Sequence, residues 1–443
     1  MQETDRDGRG RQAQHGATLI MVALSLVILL GISALAIDLV SLYVGRSEAQ
    51  RAADAAALAG ADVFVTSGYS SGLVTKGTVR TMAANAASTV GNKNLVGGKS
   101  PTIGTTFDAS CPPAASSDGC IDLDTYPNDP RITVVARQTM PIFFVKIFGV
   151  TSAKVSAQAT AEAYNPSGGG PPVAAKCLKP WILPNCDKNH TNPAYANPNC
   201  AGGYDYFYDP TLCGNKTPKG ICFPGGAPTG VIGEVLTLKS GDPHNAPAPS
   251  QYYPVNLPPG STPALCPSTS ATGCNGLAGG GGGALYRQNI ACCNTNQIVC
   301  GNVSVNWETG NMQGPTKQGV ECLIHESGGS GQDTITFDST NGFTMTGGSN
   351  NPYGLSGKTI SSSDSIVTIP LYNGTTPCPG ASCGASVAIV GFLQIFVQNV
   401  NAGGDVTAMV MGVSGCGGGS PGTTPVSSGG SSPIPVRLVQ PGN

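Results

Sequence analysis

The sequence predicts an α+β chain. A long N-terminal transmembrane helix continues into a domain of helix and small sheet, and a β-rich, disulfide-containing ectodomain follows. Three observations predict it. Residues 17–37 carry no charge. The next stretch, Ile37 to Phe64, is dominated by Ala with Leu, Arg, Glu and Gln, all strong helix formers. All sixteen cysteines lie at or beyond Cys111, on one side of the apolar run.

The apolar run has 21 residues, which at about 1.5 Å each span roughly the 30 Å of a hydrocarbon core. Export signals have shorter apolar cores that end in small residues. Ser33–Ala36 (SALA) weakly resembles such a cleavage box, but the run is too long for an ordinary signal. Arg6, Arg9 and Arg11 precede it and Arg46 and Arg51 follow, a slight bias toward a cytoplasmic N-terminus. The cysteines decide the orientation better. With no CxxC and only four histidines, they read as disulfides in an oxidising compartment rather than zinc ligands. Connectivity is not legible from sequence, and the simplest expectation joins neighbours: Cys111/Cys120, Cys177/Cys186, Cys213/Cys222, Cys266/Cys274 and Cys293/Cys300. Asp38 ends the apolar run, where the plain expectation is an interfacial carboxylate.

Past the membrane, Ala49, Ala53, Ala56 or Ala57, and Gly60 place small residues on one helix face. Such a face admits another helix closely, though the plainer reading is that it covers its own domain. Thr75–Gly91 reads as a second helix ended by glycine. Arg131–Arg137 reads as a strand, and Pro141 breaks it before a compact apolar connector. Then Ala153, Val155, Ala157, Ala159, Ala161 and Ala163 alternate with Lys154, Ser156, Gln158, Thr160 and Glu162. This is a half-buried strand facing something close. Asn165–Ala175 is a linker by composition, the glycine run Gly279–Gly283 is a loop, and Gly417–Pro433 is a low-complexity, mobile tail. The expected divisions are a cytoplasmic segment 1–16, transmembrane helix 17–40, first domain 41–164, linker 165–176, Cys-rich β-rich ectodomain 177–416 and tail 417–443.

Composition excludes some functions. Charged residues make up only 11% of the chain and the net charge is −2, which argues against a nucleic-acid partner. Pro352–Thr359 approaches a phosphate-binding loop, but proline stands at the first glycine and a strand-like run follows. Cys322, His325 and Glu326 are too close in sequence to supply a convergent nucleophile and base. Tyr204–Pro210, with its aromatics and two Asp, reads as a packed loop, with a calcium- or carbohydrate-binding patch as the sharper alternative. No catalytic, cofactor-binding or metal-ligating residues are therefore expected.

Gln14–Ala61 resembles the N-terminal region of the TadE/TadG-like proteins of the Flp (tight adherence) pilus-assembly machinery. The resemblance is carried by Gly16, the AIDL ending at Leu39, Tyr43, and QRAADAAALAGA from Gln50. It continues through Arg131–Ala163. Shorter stretches at Tyr286–Ile290, Asn306–Val320 and Pro435–Gln440 resemble longer members. The resemblance implies a pilin-like first domain. It also implies a non-enzymatic membrane protein that scaffolds or anchors a pilus or surface secretion apparatus, with other pilus-assembly or minor pilin-like membrane proteins as partners through the N-terminal helix. The implied location is the bacterial inner membrane, single-pass, with the C-terminal part periplasmic or extracellular. A surface adhesin or ligand-binding protein is the alternative. Two departures matter. Prepilins carry Glu five residues after the processed glycine, and here that residue is Met21. The Asp-x-Ser-x-Ser metal motif of many TadG-type proteins is also missing.

Overall fold

The structure, a computed structural model, describes residues 7–66, 69, 76–104, 119–123, 130–163, 173–191, 196–200, 202–207, 231–245, 248, 250–258, 260, 262–263, 265–277, 283–308, 310, 312–338, 342–360, 362–378, 383–416, 426–427 and 436–439. A single helix, α1 (Asp7–Thr66), runs without a break through both the apolar and the Ala-rich segments. Its 60 residues reach about 90 Å at 1.5 Å per residue. Its two halves have opposite surroundings. Leu19, Leu26, Leu30, Leu35 and Val40 are exposed, so this part is long and apolar enough to cross a membrane. From Ala49 onward one face is fully covered by the rest of the protein: Ala49, Ala52, Ala53, Ala56, Ala57 and Ala61.

What covers that face is the chain's own first domain, the plainer of the two expectations. Helix α2 (Lys76–Gly91) packs on it through Val79, Ala83 and Ala87. The approach is close because the side chains are small. A methyl group at Gly60 would lie 2.5 Å from Ile132 Cδ1 and 3.2 Å from the Ala83 carbonyl. The adjoining antiparallel sheet comprises β1 (Thr102–Ile103), β2 (Cys120–Asp122), β3 (Arg131–Pro141) and β4 (Ser152–Ala163). Strands β3 and β4 pair along their whole length, from Arg131 opposite Glu162 to Pro141 opposite Ser152. In β4 the predicted alternation holds from Lys154 to Ala159, with Val155, Ala157 and Ala159 buried and Lys154, Ser156 and Gln158 exposed; beyond it Thr160 and Glu162, expected on the polar face, are buried as well.

The remaining chain supplies β5 (Val173–Ala175), β6 (Trp181–Pro184), β7 (Val235–Ser240), β8 (Gln251–Asn256), α3 (Ala284–Ala291), β9 (Ile298–Val299), β10 (Gly301–Ser304), β11 (Asn306–Trp307), α4 (Gln313–Leu323), β12 (Thr334–Asp338), β13 (Gly342–Thr346), β14 (Thr359–Ile360), β15 (Ile366–Tyr372), β16 (Ser386–Val400), β17 (Val406–Gly415), β18 (Val426–Ser427) and β19 (Val436–Val439). Six strands pair in a closed ring, in the order β16, β15, β6, β8, β7, β17 and back to β16. Closure leaves no free edge in the ring, and β10 and β11 extend it at β16 and β8. Side chains alternate as a pleat requires. Trp181, Leu183, Tyr252, Ile369, Leu393 and Ile395 join a core continuous with that under α1, while Ile182, Tyr253 and Phe392 form a second cluster.

Two helices absent from the sequence expectation, α3 and α4, pack together, with Gly319 of α4 against Ile290 and the Arg287 carbonyl of α3. They close a buried hydrogen-bond chain. Trp181 Nε1 donates to the Tyr286 hydroxyl at 2.9 Å, and the Tyr286 and Tyr252 hydroxyls each meet Thr316 Oγ1, at 3.0 and 3.1 Å.

The neighbour pairing of cysteines is corrected at every pair the structure describes. The bonds are Cys177–Cys293, Cys186–Cys200, Cys266–Cys292, Cys274–Cys322, Cys300–Cys416 and Cys378–Cys383. Two of them bridge 116 residues, because the ring brings distant strands together whatever their separation in sequence. Cys120 is also disulfide-bonded. Cys111, Cys213 and Cys222 lie outside the described residues, as do most of the linker and most of the tail. One piece of the tail is ordered into the first sheet: β19 pairs with β4, Val436 opposite Ala163. Glu162, expected on the polar face of β4, is consequently buried. Its carboxylate accepts from Arg131 Nε at 2.8 Å and from Arg437 Nε at 2.8 Å.

Candidate functional site

Three groupings of polar side chains stand out, and the first lies where the apolar part of α1 meets the folded domain. Pro141 ends β3, and the chain turns through a short 3₁₀ segment at Val145–Phe148 before Gly149, at φ +87°, redirects it into β4. A tight turn of this kind leaves successive backbone N–H groups pointing the same way without partners, a ready anion nest. Asp38 fills it. Oδ1 accepts from the Phe143 N–H at 2.9 Å, and Oδ2 from those of Phe144 and Val145 at 2.9 and 2.8 Å. Asp38 sits at the end of the uncharged run, as expected, but it does not face solvent. Its carboxylate is covered and fastens the β3–β4 connector to the helix. The connector's own large side chains are left outside: Phe143 is 63% exposed, Phe144 41% and Val150 45%.

A second grouping lines a cavity of about 460 Å³ beside the ring. Lys179 forms part of its wall and is buried; its Nζ donates to the Cys292 carbonyl at 3.0 Å. Burial pushes its pKa down to about 7, against a smaller opposing pull from Asp364. His325, in a left-handed backbone conformation, pairs through Nε2 with Asp364 Oδ2 at 2.9 Å on the same wall. The sequence neighbour Cys322 is bonded to Cys274 and has no thiol to offer as a nucleophile. Ser363, also on the wall, donates its hydroxyl to Asp333 Oδ2. The cavity therefore presents one amine and one imidazole–carboxylate pair among apolar and disulfide walls, a set suited to holding a small anionic or carbonyl-bearing ligand.

The third grouping joins Asp187, His190 and Glu234. His190 Nδ1 lies 2.6 Å from Asp187 Oδ2, and Nε2 lies 3.4 Å from Glu234 Oε1. Asp205, from the Asp-containing aromatic loop singled out in the sequence, adds its charge nearby and exchanges backbone hydrogen bonds with Asp187 and His190. Burial alone works against charge on the ring. The Asp187 hydrogen bond and the three carboxylates outweigh it and raise the imidazole pKa above 6.5. Burial also raises the pKa of Asp187 and of Glu234. When protonated the ring bridges two carboxylates, and one ligand atom from each of the three residues falls within 4.8 Å of the others. His244, Cys378 and Cys383 also cluster, but the two cysteines are bonded to each other and offer no thiolate.

Elsewhere, Pro352–Thr359 is a loop leading into β14, with no helix after it, so it lacks the strand–loop–helix frame of a phosphate-binding loop. Of the Tyr204–Pro210 stretch, residues 204–207 are described; Phe207 is buried, as a packed loop requires.

The arrangement defines a class: an α+β chain on one helix able to cross a membrane, its folded part stapled by disulfides. The comparison with known families narrows it. Residues 16–63 match the family model described as Flp pilus-assembly TadE/G-like, and residues 41–161 match that described as Tad-like Flp pilus-assembly. Together the two matches cover residues 16–161, the N-terminal third of the chain. No curated protein and no solved structure matches the chain.

Proposed function

We propose that this protein is a non-enzymatic, membrane-anchored component of a Flp-type pilus-assembly or surface secretion apparatus, acting as scaffold or anchor. The observation that carries the reading is the continuity of α1. Its lipid-compatible half and its domain-packing half are one rigid rod, and the family matches cover that rod and the sheet packed on it. A helix with a small antiparallel sheet on its flank also supports a pilin-like first domain, by analogy of layout. Disulfides throughout the part beyond α1 support an extracytoplasmic C-terminal side, with the N-terminus in the cytoplasm of a bacterial inner membrane. Because the Ala-rich face is occupied by α2, β3 and β4, partners in the apparatus would be met through the exposed face between Leu19 and Val44.

Photo-crosslinking from Leu26 and Leu30 in cells tests this. The expected products join the chain to other membrane proteins of the pilus machinery, and deleting the chain abolishes surface fibres. Wild-type fibres after deletion would overturn the reading. The cavity at Lys179 supports a second role, small-ligand binding at the cell surface. It would be revealed by a ligand that protects Lys179 from amine acylation.

A further inference from the structure

Resting on the reading that α1 crosses the bilayer, we propose that the β3–β4 connector is a second membrane contact. It lies in the interfacial layer of the same bilayer, with Phe143, Phe144 and Val150 in lipid and Lys146 among the headgroups. Its height is set by Asp38. That residue directly follows the 21 uncharged residues that fill the hydrocarbon core, and three amides of the connector bind its carboxylate at 2.8–2.9 Å. The connector therefore sits at the core's edge, where the polar layer adds about 5–8 Å on each side.

The exposed side chains there are apolar. Phe143, Phe144 and Val150 are exposed on the connector whose amides hold Asp38, and Leu39, Val40, Tyr43 and Val44 are exposed on α1 within six residues after Asp38. With Asp38 engaged by amides, no other charge occurs between Ala17 and Gly45. The seven residues past Asp38, Leu39 to Gly45, rise about 10 Å, enough to cross the polar layer on that side of the core. Lys146 in the connector and Arg46 just past this run are exposed and cationic, placed as snorkelling residues are at an interface. Two contacts, a helix and a loop at a fixed angle to it, hold the folded domain at one height and tilt on the membrane instead of letting it swing on a single rod.

The test uses the full chain reconstituted in vesicles of phosphatidylcholine and phosphatidylglycerol brominated either near the headgroups or near the chain ends. Emission of the unsubstituted chain, from Trp181 and Trp307, is subtracted. Ile28→Trp reports the anchor, and its emission should be lost to deep bromines. Phe143→Trp, at an exposed site, should show a blue shift and a loss of emission to shallow bromines. Asp38→Asn should weaken that loss without altering the Ile28→Trp signal. If Ile28→Trp is quenched but Phe143→Trp emits as in water, the proposal fails and the anchor stands. If Phe143→Trp is blue-shifted yet unquenched by any lipid, protein covers the connector and the proposal fails equally. If Ile28→Trp escapes quenching, the anchor reading fails and takes the proposal with it.

Discussion

Replacing Lys179 with methionine should stabilise the protein near neutral pH and remove part of its pH dependence. The side chain is buried at the cavity wall, and burial lowers its pKa from 10.5 to about 7. A shift of that size, at 1.36 kcal/mol per unit, corresponds to about 4–5 kcal/mol of unfavourable burial of the cation. The sign follows from proton counts. Between about pH 7 and 10.5 the unfolded chain holds the proton and the folded chain does not, so stability rises with pH across that window. Below it, both forms are charged and the penalty is present in full. Lys179→Met fills similar volume, removes the charge, and gives up the hydrogen bond to the Cys292 carbonyl, worth about 1 kcal/mol. Urea unfolding of the detergent-solubilised chain under non-reducing conditions, from pH 7 to 10, measures both proteins. The variant should be more stable by about 3 kcal/mol at pH 7, and the two curves should converge and cross as the pH approaches 10. Parallel curves would refute the claim that a neutral amine is buried there.

The other expectations use the same measurement. Ala56→Leu forces a larger side chain into the fully covered seam between α1 and α2 and should destabilise by about 1–3 kcal/mol; an unchanged midpoint would mean the seam is not close-packed. Cys300→Ser with Cys416→Ser opens a bridge spanning 116 residues and should lower stability by about 5 kcal/mol on loop-closure grounds, seen as a lower Tm. The Asp187–His190–Glu234 cluster favours the folded state while His190 is protonated, so its contribution is present below pH 6.5 and lost as pH rises through the ring's elevated pKa. His190→Gln should flatten that fall, read from Tm between pH 5.5 and 8.5.

What was legible in the sequence were the features set by local periodicity. The uninterrupted helix followed from an uncharged run flowing into Ala-rich residues, and β4 followed from strict alternation of small apolar and polar side chains. Contacts between distant segments were not legible. Of the six ring strands only β7, β15 and β16 stand out in the sequence as strand-like apolar runs; β6, β8 and β17 do not, and closure depends on pairings such as β17 with β7, which no local pattern encodes. The disulfides follow that closure, so neighbour pairing failed. Glu162 read as a solvent-facing residue because its alternation is polar; it is buried because Arg437, 275 residues later, returns on β19. Asp38 was noticed as a charge at a membrane edge, but its three partners lie more than a hundred residues away in a connector that shows only apolar character in sequence. Helices α3 and α4 are short, and a Gly- and Asn-rich context masked the spacing of Thr316, Gly319, Val320 and Leu323.

The central claim is an uncleaved membrane helix carrying an oxidised domain outside the cytosol. Mass spectrometry of the protein extracted from membranes, alkylated without reduction, tests it most directly. The account predicts peptides that retain residues 17–37 joined to Asp38, and no alkylation at the thirteen described cysteines. A mature chain beginning at Ala17 or after Ala36, or alkylated thiols across the ring, would contradict it.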